Sequence, residues 1–124
     1  MGWGSDEIEM RNAVIESASL TTADHGLLSG WVHLDYGGGG QGFGGFALYL
    51  PEGFTKRSNQ PNFAGHWIWR VMEVAGVSDW SKLAGKTVRV KATHSKVHAI
   101  GHIVKDIWFD PSAEFQAMKG TEAA

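Results

Sequence analysis

Cysteine is absent from the 124 residues. That excludes disulfides, thiolate metal sites and cysteine nucleophiles. No apolar run approaches the roughly 20 residues a membrane-crossing helix needs. The chain start has no secretory pattern, so a cytoplasmic protein is the expectation. Charged residues make up only 19%, with a formal net charge of −2. That balance argues against bulk binding to duplex DNA, which relies on many phosphate contacts. No Gly-x-Ser-x-Gly elbow occurs, and no pair of carboxylates can be placed at a glycosidase spacing.

Glycine and tryptophan are abundant, at 17 and 6 residues, and hydrophobic residues reach 43%. This is globular composition, and a chain of this length forms one domain with a real core. Residues 1–10 read as a leader or disordered, 11–111 as the domain and 112–124 as a C-terminal tail, with Glu114–Ala124 either a frayed helix or an unstructured end. The glycines are concentrated: seven of the nine residues from Gly37 to Gly45 are glycine.

Alternating side chains predict strands over Arg11–Thr21, Leu27–Tyr36, Gln41–Leu50, Thr87–Thr93 and Val97–Trp108. The third is apolar on both faces near its end and is expected to be central. Thr22–Gly26 supplies a turn, Pro51 and Gly53 stop the third strand, and Phe54–Gln60 reads as a polar loop. Phe63, Trp67, Val71 and Val74 recur at helical spacing within Asn62–Ala75, with Gly76 as its stop. Ser78–Ser81 caps a short turn. The order β-β-β-α-β-β predicts an α+β fold: one antiparallel sheet of about five strands with one main helix on one face.

The glycine run matches Gly-x-Gly-x-x-Gly, as in Gly37, Gly39 and Gly42. A dinucleotide site needs a helix after the glycines to hold the pyrophosphate, and here a strand follows. A phosphate-binding P-loop lacks its Lys-Ser/Thr pair. Two uses of the bare backbone stay open. Either a helix or a Trp ring packs flat on it, or it donates N–H groups to a ligand or partner strand. The flanking Asp35, Tyr36, Gln41 and Phe43, with Gly40 and Gly42, are the candidate binding residues there.

Charge is uneven. Residues 1–55 hold seven acids and one base, Arg11, whereas residues 82–105 hold six bases and no acid. Arg89, Lys91, Lys96 and His98 make that basic stretch a second candidate for a partner or phosphate, against a merely solvated strand face. His94, His98 and His102 are four apart. Three imidazoles can bind zinc, but eight strand residues span about 26 Å, too far for one ion. No catalytic residue, metal ligand or cofactor is assigned. Trp67 is expected in the core and Trp69 at the surface.

The strings Asp24-His25-Gly26, Leu34-Asp-Tyr-Gly-Gly-Gly-Gly-Gln-Gly-Phe-Gly-Gly45, Trp80-Ser-Lys-Leu-Ala-Gly-Lys86, Ile100-Gly-His102 and Trp108-Phe-Asp-Pro111 resemble an uncharacterised family of small phage and prophage proteins. The resemblance implies a phage setting and no activity. By analogy with small phage accessory proteins, it suggests an anti-CRISPR-like inhibitor of host defence. The expected function is therefore non-enzymatic binding to a host protein or nucleoprotein complex. A nucleotide binder and a His-dependent metal enzyme are the alternatives, and a homodimer is a reasonable assembly.

Overall fold

The computed structural model describes residues 7–23, 26–48 and 62–123. Residues 1–6 of the expected leader, the tip of the Thr22–Gly26 turn, Pro51, Gly53 and the Phe54–Gln60 loop lie outside them, whereas Glu9 and Met10 of that leader are strand. The described residues form an α+β fold. Its strands are β1 (Glu9–Thr21), β2 (Ser29–Asp35), β3 (Gly40–Ala47), β4 (Thr87–Ala92), β5 (Val97–Gly101) and β6 (Trp108–Phe109). They pair antiparallel in one sheet ordered β3-β2-β1-β4-β5-β6. The helices are α1 (Phe63–Ala75) and α2 (Pro111–Ala123), with a 3-10 turn at Trp80–Lys82.

Strand β1 serves both halves of the sheet. Its first part pairs with β4 and its second with β2. The two pairings overlap at Val14, and on the β2 side a bulge lies between Ile15 and Ser17. Ala13 and Ile15 are therefore buried, while beyond the bulge Ala18 rather than Ser17 packs against the core. A strict alternation along Arg11–Thr21 misses this switch, because one extra residue moves the later side chains to the opposite face.

Helix α1 forms where the apolar spacing predicts. The Asn62 side chain accepts the Gly65 N–H at 2.7 Å, and Gly76 closes the helix in the left-handed conformation, φ 75°. Phe63, Trp67, Val71 and Val74 face the sheet, and Trp69 is 69% exposed. Val32, Leu34, Val88, Val90 and Ile100 meet them from the strands.

Three elements differ from expectation. Strand β3 is an edge strand, not a central one. The expected strand Val97–Trp108 is two strands, paired to each other. The His102 side chain makes the bend, accepting the N–H groups of Val104 and Lys105 at Nδ1, both at 3.0 Å. The residues assigned to a tail from 112 form most of α2, and Phe115 is buried among Phe46, Phe63 and Phe109. The weak amphipathic pattern of α2 hides it in the sequence, since its anchoring is tertiary.

That anchoring is polar as well as aromatic. Arg70 on α1 donates to both Glu114 oxygens, at 3.0 and 3.1 Å. It also binds Glu73 and the Trp108 carbonyl. His66 Nε2 lies 2.6 Å from Glu114. Burial pushes the Glu114 carboxyl up, but the Arg70 and His66 hydrogen bonds outweigh it and hold the group below its ordinary value. Arg70 is held above its own ordinary value, first by its hydrogen bond to Glu114. Among the described residues, no helix is long and apolar enough to cross a membrane.

Candidate functional site

The glycine run divides into two parts with different surroundings. A Cβ at Gly37, Gly38 or Gly39 would meet nothing within 4 Å. From Gly40 onward, space closes. A Cβ at Gly40 would lie 2.3 Å from the Leu34 carbonyl, and one at Gly44 would lie 2.1 Å from the Gly30 carbonyl. At Gly42 and Gly45 it would meet the Trp31 ring, at 3.1 and 2.6 Å. On the opposite face Trp67 lies on Gly30 and Gly44. Strand β3 is thus thin because an indole packs on each side of it.

The open part is the β2–β3 turn. Asp35 accepts the Gly37 N–H at 2.8 Å, and the Tyr36 N–H donates to the Gly39 carbonyl at 2.7 Å. Gly37 has φ 105°, which a side chain would strain. The N–H groups of Gly38 and Gly39 have no hydrogen-bond partner among the described residues. Gly38 and Gly39 border a cleft of about 480 Å³ lined also by Arg11, Tyr36, Gly40, Gln41 and His94.

Each wall has a local cause. Register puts Tyr36 and Gln41 on the same sheet face as the buried Leu34. The Arg11 guanidinium sits 4.1 Å above the Tyr36 ring centroid, a cation–π contact. The Tyr36 hydroxyl donates to the Gln41 side-chain carbonyl. The Gln41 amide donates onward to the carbonyls of Thr93, at 3.3 Å, and His94, at 3.2 Å. Gln41 therefore ties the β2–β3 turn to the β4–β5 turn. Burial pushes the Tyr36 phenol above its ordinary value, and Arg11 partly opposes it.

The cleft brings together three of the expected binding residues: Tyr36, Gly40 and Gln41. Asp35 belongs to the neighbouring turn contact instead, and Gly42 lies beneath Trp31. Phe43 is a correction. It is fully buried and stacked on Trp67 at 5.3 Å, so no ligand reaches it. It pairs with Val32, whose side chain faces the core. Arg89 and Lys91 are on the other sheet face, where both cations approach the Trp108 ring, at 4.8 and 4.3 Å. Lys96 is exposed in the β4–β5 turn, and His98 is half-buried at a bulge in β5.

The three spaced histidines have separate settings. His94 lines the cleft, His98 sits at the bulge and His102 caps the β5–β6 turn. Among the described residues, no group of three His, Cys, Asp or Glu is placed to hold a metal. Sequence reasoning missed Arg11 and His94 as cleft residues. Arg11 had one available signal, as the single base of the first 55 residues. The chain matches no protein family, no curated protein and no solved structure.

Proposed function

We propose that this protein is a non-enzymatic binding protein that seats an anionic group of its partner in the cleft at the glycine turn. The observation that carries this reading is the placement of Gly38 and Gly39, whose N–H groups have no partner among the described residues, beside the Arg11–Tyr36 stack in one cleft. Successive backbone N–H groups form anion-binding concavities. A guanidinium held flat on a ring presents its donors in a fixed plane. The partner is a host protein or nucleoprotein complex, and the analogy with small phage accessory proteins suggests the role of counter-defence factor. Capture of a partner from host lysate tests this. Wild type retains the partner and Arg11→Glu loses it. Equal capture by Arg11→Glu and wild type overturns the reading.

A nucleotide is the second reading, favoured by the same N–H groups and by a volume sufficient for one. A nucleotide panel in thermal shift separates the two. A rise in melting temperature that Arg11→Ala abolishes selects the nucleotide.

A further inference from the structure

We propose that the sheet face opposite the helices binds single-stranded nucleic acid, by base stacking and phosphate contacts without sequence readout. This surface is distinct from the cleft and does not depend on it.

Two features of that face point to this ligand. The first is a flat aromatic surface on β2. The Trp31 ring lies against the sheet because Gly42 and Gly45 leave it room. The His33 ring is next to it, 6.3 Å away and only 14° from parallel. Upright rings would offer edges, whereas rings lying flat offer π-faces on which any base can stack. Gly42 is the neighbour of His33 in the register, so the bare strand supports both rings.

The second feature is fixed positive charge on β4. Arg89 and Lys91 face outward beside Trp108. Arg89 donates to the carbonyls of His102 at 2.8 Å and Lys105 at 2.9 Å, which holds its guanidinium in place. In sequence, the stretch 82–105 around them holds six bases and no acid. Trp31 is level with Ser19, and Arg89 with Asn12, on the shared strand β1. Seven residues along β1 and two strand spacings across the sheet put the two patches about 25 Å apart, which several nucleotides of an extended strand would span.

Charge selects among occupants. A duplex offers no exposed π-face for the rings and relies on more phosphate contacts than this chain's cations supply. A protein partner disfavours lysine at the centre of its interface. A single strand uses both patches at once.

The test is fluorescence anisotropy with labelled oligo-dT and oligo-rU of about 12 nucleotides, at about 50 mM salt. The expected result is micromolar binding with quenching of tryptophan fluorescence. Binding weakens about tenfold in Trp31→Ala, as loss of one stacking platform requires. Lys91→Ala weakens it and lowers the salt slope by about 1. His33→Ala, an exposed position, reports on the platform if Trp31→Ala fails to fold. Arg11→Ala leaves binding unchanged, which separates this surface from the cleft. Absence of binding at about 100 µM protein overturns the proposal. Equal affinity for duplex or for poly-glutamate also overturns it, and so does loss of binding in Arg11→Ala.

Discussion

The two parts of the glycine run look alike in sequence and differ in physical role. Gly37–Gly39 is an exposed turn with space around every Cα. Gly40–Gly45 is a strand pressed between Trp31 on one face and Trp67 on the other. In the first part the absent side chain opens a cleft. In the second it lets rings and backbone approach closer than any Cβ permits. A glycine-rich segment is therefore not one feature: what lies within a few ångströms of each Cα decides what each glycine does.

The contrast yields measurable differences in stability. Trp67→Ala should cost the most, about 3–5 kcal/mol by urea denaturation, because a fully buried indole leaves a cavity. Gly30→Ala should cost about 1–3 kcal/mol, since its Cβ would sit 2.3 Å from the Trp67 indole nitrogen. In the Trp67→Ala background that penalty should vanish, because the nearest obstructing atoms all belong to Trp67. A persistent penalty would break the assignment of the bare backbone at Gly30 in β2 to the packing of Trp67.

Glu114→Ala should cost about 1–3 kcal/mol by freeing α2 from Arg70 and His66. It would show whether the polar clamp matters beside the aromatic one. The sign of its pH dependence follows from the lowered Glu114 pKa. The unfolded chain binds this proton more readily, so the contribution is full above the ordinary value of 4.5. It is lost as pH falls through the lower folded value. Acid titration of Glu114→Gln against wild type should show a shallower loss of stability in that range. The smallest effect is expected at Gly38→Ala, within about 0.5 kcal/mol of wild type, as its Cβ meets nothing. A cost of about 1–3 kcal/mol would erase the distinction between the open turn and the backbone packed under the indoles.

Legibility followed periodicity. Val88, Val90 and Ala92 alternate with Arg89 and Lys91, and the structure buries the first set only. Phe63, Trp67, Val71 and Val74 sit a turn apart, and all four are buried. Where a local side chain broke the period, the reading failed. His102 bends what looked like a single strand, and the bulge after Ile15 reverses the faces of β1. The cleft was half legible. Tyr36 and Gln41 flank the glycines in sequence, but Arg11 is a strand away and His94 is 53 residues from Gln41, joined to it through a side-chain hydrogen bond.

By itself the sequence determined the fold class, the central helix and the sorting of alternating residues into inner and outer faces. Each of these depends on neighbours within a few positions, where side-chain period dictates the outcome. Only the tertiary structure decided which glycines lie under rings and which face open space. Those neighbours come from other strands and from α1, and no local pattern encodes their distance.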